Sequence, residues 1–433
     1  MNKLIQTIKN IFKIEELRKR IVYTLLLLIV YRLGSFIVLP GIDAAALASA
    51  SQFQQNTQEG LLGLLNMFSG GAFANASIFA LGVMPYISAS IVIQLLGIFV
   101  PYFRRLQMEG ESGRRKMNQY TRYLTIAIVL IQGFAYMKAL PATVGSDVIV
   151  YDTTLFYITS VALLLGGTMF VMWLGERITD RGIGNGISLI IMIGIIARLP
   201  HALFAEVTMN GNILAIIVEL VILFFIFIAA IALVQAVRKV PVQYAKRVIG
   251  NKQYGGVRQY IPMKMNAAGV MPIIFAQALM MIPMLFSGSS FAAVMSDYTG
   301  VWYNITFALL VIAFTYFYTA VTINPTMMAE EMRKNNGFIP GVKPGRKTAE
   351  FLDSIMSRVT LPGSIFLALI AILPAFATKL GVQPNFASFF GGTSLLILVG
   401  VVLDTLQQIE SHLLMRHYDG LMKTGRLKGR SGM

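Results

Sequence analysis

The sequence contains no cysteine and few charged residues. None of its 433 positions is cysteine, which excludes disulfides, thiol catalysis and cysteine metal sites. Its three histidines, His201, His412 and His417, are scattered and lack the spacing of metal ligands. Charged residues make up only 13% of the chain, whereas soluble domains carry about 25%. So few charges cannot cover a water-facing surface, and the composition therefore predicts an integral membrane protein.

The sequence also lacks the motifs of common reaction chemistry. It has no phosphate-binding loop, no plausible Ser–His pair and no paired catalytic acids. A charged residue inside a membrane span costs about 2.5–3.5 kcal/mol and usually marks function. Here Glu219 and Asp404 are the interior candidates, with Glu176 and Glu410 near span ends, and they form no carboxylate relay. We therefore predict no enzyme activity, no proton coupling, no metal and no cofactor.

Long apolar runs dominate what is present, and 56% of the residues are hydrophobic. Runs of about 20 residues suit membrane helices rather than barrel strands. The runs lie near residues 21–39, 76–100, 121–140, 154–175, 186–199, 213–237, 267–286, 303–323, 360–378 and 393–413. The pattern predicts an all-α membrane protein with ten transmembrane helices.

The basic residues are distributed unevenly around these spans. The net charge is +16, and nearly all of the 36 Lys and Arg residues lie in the N-terminal arm, the loops after even-numbered spans and the C-terminal tail. The exceptions are Lys138, Arg198 and Lys379 at span ends and Arg32 within the first span. Because basic residues stay on the cytoplasmic side, the distribution predicts that both termini are cytoplasmic.

Two short sequence patterns each occur twice, in the same order, about half a chain apart. They are GVMPYI at Gly82–Ile87 with GVMPII at Gly269–Ile274, and GISLII at Gly186–Ile191 with GTSLLI at Gly392–Ile397. Such repeats indicate an internally duplicated membrane protein, with a pathway at the interface of the halves. A single isoleucine in these patterns is best explained by helix packing. Several isoleucines at matched positions instead favour a narrow hydrophobic constriction, which gates by excluding water.

Three further segments have two interpretations each. The apolar stretch 61–68 is too short to span a membrane, so it is either a helix at the outer interface or a re-entrant helix that blocks the conduit. The stretches 238–265 and 324–358 are long, basic and rich in turn formers. They are either solvated loops that only set topology, or surfaces that dock an anionic partner such as RNA phosphate or an acidic protein face.

Several long motifs resemble those of the SecY family, the central subunits of bacterial protein-conducting channels. The resemblance runs from about residue 14 to residue 428. The most specific stretches are Asn66–Ala72, Ser77–Ser88, Gly110–Lys116, Trp173–Gly186 and Gly391–Ile397.

The resemblance implies two pseudo-symmetric five-helix halves. Residues 1–200 would hold spans one to five and a short re-entrant plug helix at about 61–74, and residues 201–433 would hold the other spans and the two basic loops. The implied function is a channel that translocates unfolded secretory polypeptides and releases transmembrane segments sideways into the bacterial cytoplasmic membrane. An external motor or the ribosome would drive it. The alternative is a secondary transporter of small solutes, which would need a polar or charged site at the midplane.

The resemblance also implies roles for individual residues. The pore ring would be Val83, Ile87, Ile187, Ile191, Ile274 and Ile397, and the plug would include Leu65, Asn66, Phe68, Ser69 and Gly70. The lateral gate would include Ser88, Ser90, Gln94 and Val270, and the partner-binding loops Arg247, Lys252, Lys343 and Arg346. Lys343 stands where the family typically has arginine, and lysine lacks arginine's bidentate fork. The implied partners are SecE, SecG, the motor SecA, the ribosome, secretory and membrane-protein substrates, and membrane lipids.

Overall fold

The computed structural model describes residues 14–49, 66, 68–144, 149, 154–210, 213–244, 247–249, 252–254, 258–280 and 299–423. The chain divides into two compact units, the first comprising Met1–His201 with Val401–Met433 and the second Ala202–Gly400. The predicted halves, 1–200 and 201–433, concern an internal duplication that this division does not test.

Most of the described residues are helical. The helices are α1 (Glu15–Gly34), α2 (Ala44–Ser49), α3 (Met84–Phe99), α4 (Pro101–Met108), α5 (Glu111–Val144), α6 (Thr154–Arg181), α7 (Gly186–Asn210), α8 (Ile213–Gln235), α9 (Met271–Met280), α10 (Val301–Thr322), α11 (Pro325–Lys334), α12 (Arg346–Lys379), α13 (Pro384–Ala387) and α14 (Gly392–Lys423). The strands are β1 (Val237–Tyr244), β2 (Arg247–Ile249), β3 (Lys252–Tyr254), β4 (Arg258–Lys264) and β5 (Gly337–Phe338).

Seven helices within the described residues are long and apolar enough to cross a membrane, and they fall in α5, α6, α7, α8, α10, α12 and α14. The bent pair α3 and α4 would make an eighth. The exposed faces are strongly apolar; on α8, for example, Leu214, Phe224 and Phe225 are each more than 60% exposed. The predicted class of helical membrane protein is confirmed. The count of ten spans stays a prediction, because the predicted seventh span extends from α9 into residues 281–286, outside the described part.

The second predicted span differs from the apolar run that indicated it. Residues 76–83 form turns, and Gly82 has a φ of +53°, in the left-handed region that favours glycine. The helix α3 begins only at Met84, with Pro85 in its first turn, a position that proline tolerates. Before Pro101 the backbone of Val100 is extended, as proline requires of its predecessor. The chain therefore turns by 97° between α3 and α4.

The first unit has two buried apolar clusters. One contains Leu39, Phe73, Tyr136 and Phe156. The other contains Tyr31, Ala72, Phe79, Val83 and Ile190 and draws on α1, α3, α6 and α7. Residues 72 and 73, in the predicted plug, are adjacent in sequence and belong to different clusters. The segment around them is consequently fixed between the two parts of the unit's core.

The two long basic stretches of the second unit form ordered structure. Strand β1 pairs antiparallel with β4 in the register Val237↔Lys264 to Gln243↔Arg258, and with β5 on its other edge. Strands β2 and β3 form a separate two-stranded hairpin. The predicted loop 324–358 contains α11, β5 and the first turns of α12, which therefore begins well before the apolar run at 360–378.

These elements share a small hydrophobic core of their own. Its buried members include Val240, Val242, Met332, Leu352 and Met356. We call β1, β4, β5, α11 and residues 346–356 of α12 the basic platform. Because one core joins both stretches, they are parts of one folded body rather than two independent loops.

Candidate plug and pore site

The predicted plug is described at residue 66 and from residue 68 onward. Leu65 and residues 61–64 and 67 lie outside the described residues. Asn66 and Phe68 are helical, and the backbone then continues in tight turns through residue 76. We call residues 66 and 68–76 the plug segment. Its residues Asn66, Phe68, Ser69 and Ala72 are each less than 5% exposed.

Hydrogen bonds within the plug segment hold its turns. The N–H of Gly71 donates to the carbonyl of Asn66 (2.8 Å), and the Asn66 side-chain oxygen accepts from the N–H of Ala74 (3.1 Å). The hydroxyl of Ser69 accepts from the N–H of Phe73 (3.0 Å). These two polar side chains thus satisfy backbone groups that burial would otherwise leave unpaired at a cost of about 1–3 kcal/mol each.

Two consecutive glycines make this path possible. Gly70 and Gly71 have φ values of +66° and +93°, which side-chain-bearing residues rarely adopt. Gly70 also lies against Gly194 of α7, since a methyl group added at Gly70 would sit 2.9 Å from the Cα of Gly194. Gly70 therefore has no room for a side chain. At Gly71 an added methyl group would have no neighbour within 4 Å, and there the positive φ alone favours glycine.

Three side chains of the surrounding helices donate hydrogen bonds to carbonyls of the plug segment. They are the Tyr31 hydroxyl to Ser69 (3.1 Å), Arg32 Nη1 to Gly70 (2.5 Å) and the Tyr136 hydroxyl to Phe73 (2.9 Å). The first two come from α1 and the third from α5. The plug segment is therefore held from two sides within the first unit.

The predicted pore-ring residues fall in both units. In the first unit, Val83 is buried at the start of α3 and packs in the same cluster as Ile87 of α3 and Ile187 of α7. Ile191, one turn further along α7, is buried as well. In the second unit, Ile274 is partly buried on α9 and Ile397 is buried on α14. The structure thus brings Val83, Ile87 and Ile187 together.

The predicted lateral-gate residues lie on or beside two helices. Ser88, Ser90 and Gln94 are on α3, where the serines are partly buried and Gln94 is exposed. Val270 precedes α9, and its carbonyl accepts from the N–H groups of Ile273 (3.1 Å) and Ile274 (3.4 Å). The carbonyl of Val270, just before α9, thus accepts hydrogen bonds from the first turn of that helix.

The predicted partner-binding residues belong to the second unit. Arg247 is in β2 and Lys252 in β3, the two strands of the hairpin. Lys343 and Arg346 are exposed, and Arg346 forms an ion pair with Glu350 one turn on (3.1 Å). The Lys343 carbonyl accepts from the Thr348 hydroxyl (3.0 Å), which fixes the backbone before α12.

Three of the carboxylates near the spans have structural partners, whereas a buried side-chain oxygen of Glu219 on α8 accepts no hydrogen bond from the described residues. Glu176 on α6 receives two hydrogen bonds from Arg122 on α5, at 2.7 and 3.1 Å. Glu206 is buried and accepts from the N–H of Gln383 (2.9 Å). Asp404 accepts from the side chain of Gln408 one turn on (3.2 Å). Within the described residues these acids brace helices and loops individually, and no group of them is arranged to hold a metal ion.

Comparison with known proteins places the chain in a family. The SecY family model matches residues 77–406. A protein translocase subunit SecY from Streptomyces scabiei is 44% identical over 437 residues, which cover 95% of this chain and 98% of the relative. The chain belongs to the SecY family.

Solved structures of the same fold include a SecY channel and the canine Sec61 channel. One shows how the plug domain of the SecY protein stabilises the closed state of the translocation channel and maintains a membrane seal; it has a TM-score of 0.58 and 16% identity and covers 90% of this chain and 91% of that chain. Sec61 in the canine ribosome–channel complex from the endoplasmic reticulum has a TM-score of 0.53, with 16% identity and the same coverage of each chain. At this identity the likeness is one of fold alone. The comparisons do not support the alternative of a secondary transporter.

Sequence reasoning missed the three residues that hold the plug segment. Tyr31 and Tyr136 look like ordinary aromatic residues of membrane helices, and nothing in their neighbourhood marks a distant backbone partner. Arg32 did carry a signal, because it is the basic residue placed inside a predicted span, and a charge there requires a polar partner. The ion pair between Arg122 and Glu176 could not be predicted from the sequence either, because 54 residues separate the two.

Proposed function

We propose that the chain is the channel-forming subunit of a protein translocase in the bacterial cytoplasmic membrane. Membership of the SecY family over nearly the whole chain is the observation that carries this proposal. The channel translocates unfolded secretory polypeptides and releases transmembrane segments into lipid. It catalyses no reaction, and the directional push comes from an external motor or the ribosome.

In this proposal Val83, Ile87, Ile187, Ile191, Ile274 and Ile397 form the pore ring. Branched aliphatic side chains exclude water and so prevent ion leak. They also yield around a bulky passenger without making hydrogen bonds that would trap it. The shared cluster of Val83, Ile87 and Ile187 in the first unit supports this assignment for three of the six.

The plug segment closes the resting channel. The lateral gate at Ser88, Ser90, Gln94 and Val270 sorts segments of the translocated polypeptide by their hydrophobicity. A segment with ten leucine-like residues gains on the order of 5 kcal/mol on reaching lipid, at about 0.5 kcal/mol per residue. Two central charges cancel that gain. Apolar segments therefore leave through the gate, and polar ones continue through the ring.

The basic platform and the hairpin that carries Arg247 and Lys252 face the cytoplasm with both termini, and they dock the ribosome or SecA. The exposed cations Lys343, just before α12, and Arg346, in its first turn, suit an anionic surface. The ordered core beneath them supports a docking role, because a rigid platform loses little entropy on binding. SecE and SecG complete the membrane complex.

The test uses the absence of native cysteine. We would place a single cysteine at Ile274 and stall a secretory precursor midway through translocation. We expect the precursor to crosslink to this position. The matched control is Leu309→Cys on α10, which is 63% exposed on an apolar face and should not crosslink. Absence of a crosslink at Ile274, in membranes that still export the precursor, would contradict the proposed pathway.

A further inference from the structure

The proposed channel features do not explain the charge of Arg32. Arg32 lies in the last turn of α1, inside the first predicted span, and is half-buried, where a cation costs about 2.5–3.5 kcal/mol. Among the residues that the structure describes, Arg32 makes no ion pair. The Phe36 ring lies 4.9 Å from its guanidinium carbon, which covers the group without neutralising it.

The polar partner of Arg32 is the backbone of the plug segment. Its Nη1 atom donates to the Gly70 carbonyl at 2.5 Å, in a charge-assisted hydrogen bond of the stronger kind. Gly70 lies in a left-handed turn, which sets the direction of its carbonyl. Arg32 thus places a costly charge inside the span, and the hydrogen bond of that charge goes to the plug segment, which must move when the proposed channel opens.

Two tyrosines reinforce this contact on either side. The Tyr31 ring is fully buried and stacks on Phe79, with centroids 6.0 Å apart and planes 8° from parallel, so its hydroxyl is held toward Ser69. The Tyr136 ring packs against Phe73, with centroids 4.8 Å apart, and its hydroxyl reaches the carbonyl of the same Phe73. Both rings are fixed by packing against other aromatic rings, and both hydroxyls donate to carbonyls of the plug backbone.

From these contacts we infer that Arg32, Tyr31 and Tyr136 form a latch that holds the plug segment closed and sets the threshold for its release. They are positioning residues, since none of them lies in the proposed pore ring. Release of the plug segment breaks three hydrogen bonds, whose acceptors are the carbonyls of Ser69, Gly70 and Phe73. The three hydrogen bonds of the latch all go to backbone carbonyls of the plug segment, and the packing of the Tyr136 ring on the Phe73 side chain adds to them. This inference rests on the proposed function, because a latch matters only where the segment seals a channel.

The test measures how often the plug segment leaves its site. Ala74→Cys introduces the chain's single thiol, and only the backbone N–H of Ala74 makes a hydrogen bond in the closed state. Because Ala74 is partly buried in the closed state, a rise in its labelling by a membrane-impermeant maleimide, relative to resting proteoliposomes of the otherwise unchanged channel, reports release. Tyr136→Phe removes one neutral hydrogen bond and should raise the labelling rate about fivefold. Arg32→Met removes a charged one and should raise it roughly ten- to hundredfold.

Matched variants separate a latch from general destabilisation. Tyr102→Phe removes a hydroxyl that bonds only to the Tyr120 hydroxyl (3.0 Å), an exposed contact of the same unit, and should label at the parent rate. Arg32→Lys keeps the charge and one donor and should recover part of the loss. The midpoint of thermal unfolding is measured for each variant as well. If the three residues form a latch, their substitution changes the labelling rate and the ion leak far more than it changes this midpoint.

The outcome that would overturn the latch is unchanged labelling in both Arg32→Met and Tyr136→Phe. Tyr136→Phe alone decides the matter if Arg32→Met fails to assemble, because it removes a single oxygen from a packed ring. Translocation of a precursor with a strong signal is measured in the same vesicles. If translocation proceeds and labelling is unchanged, the latch is wrong and the proposed function stands. If no variant or parent translocates a precursor, the proposed function itself fails.

Discussion

At the scale of single residues, the close approach of Gly70 to Gly194 constrains the position of the plug segment. Gly194 lies in the middle of α7, and a methyl group added there would sit 3.1 Å from both the Cα and the nitrogen of Gly70, with the Phe68 carbonyl oxygen at 3.4 Å. All three neighbours are backbone atoms, so no flexible side chain can move aside. The backbone of the plug segment therefore packs directly against the backbone of α7 at Gly194.

Gly194→Ala should consequently displace the plug segment. Alanine favours the helix by up to about 1 kcal/mol over glycine, so α7 itself should be unharmed. Overpacking of this kind costs about 1–3 kcal/mol, and here the cost falls on the closed position of the plug. We expect ion leak through the resting channel to rise, as measured by current across a planar bilayer.

The matched control is Gly166→Ala on α6, where an added methyl group has no neighbour within 4 Å. It makes the same chemical change in a helix of the same unit and should leave the leak at the parent level. Equal leak in the two variants would show that the approach of Gly70 to Gly194 does not set the closed position.

Arg32 shows how far the sequence reaches at this scale. A charge inside a predicted span is visible from the sequence, and so is the inference that it needs a polar partner. The sequence does not reveal which group is that partner. The Gly70 carbonyl lies 38 residues away, and every residue has a carbonyl. Contacts between a side chain and a distant backbone leave no pattern in residue types, which is why Tyr31 and Tyr136 were missed as well.

At the scale of elements, hydrophobic runs predict where helices cross the membrane better than where they begin. The predicted spans 154–175 and 213–237 coincide closely with α6 and α8, because length and hydrophobicity suffice there. The run at 76–100 misplaces the start of α3, since turns can be as apolar as a helix when they are buried. The strands of the basic platform were not predicted either, because their apolar residues alternate with charges and prolines in short segments.

The basic platform depends on a few buried side chains, and Leu352→Ala tests this. Leu352 is fully buried in the platform's core, and truncating such a leucine costs about 2–5 kcal/mol. We expect β1, β4 and α11 to loosen together while the membrane helices stay folded. Limited proteolysis of the intact membrane protein should then cut within 237–264 and 325–345 more rapidly, and affinity for ribosomes should fall.

The neighbouring substitution Phe351→Ala serves as the control, because Phe351 is 38% exposed on the same turn of α12. It removes a larger side chain from the surface of the platform rather than from its core. Similar proteolysis of the two variants would mean that the shared core does not hold the platform together.

At the scale of the whole molecule, the six residues proposed for the pore ring come from α3 and α7 in the first unit and from α9 and α14 in the second. The repeated patterns at Gly82–Ile87 and Gly269–Ile274 place Ile87 and Ile274 at matched positions of the two halves. The proposed seal would draw on both halves, and we expect it to fail when either contribution becomes polar, because a hydrophobic constriction gates by excluding water. In this proposal the ring and the latch are two separate barriers: the ring excludes ions, and the latch prevents premature opening.

Ile274→Asn should separate these two barriers. An amide in the ring stabilises water there, so we expect higher ion leak and export of precursors whose signal sequences are too weakly apolar for the parent channel. Ile274→Leu keeps an apolar side chain of the same size and should behave as the parent does. The labelling rate at Ala74→Cys should rise less in Ile274→Asn than in Arg32→Met, because the three latch hydrogen bonds remain intact. If leak and signal stringency both matched the parent in Ile274→Asn, Ile274 would lie outside the ring, and the assignment of its repeat partner Ile87 would fall with it.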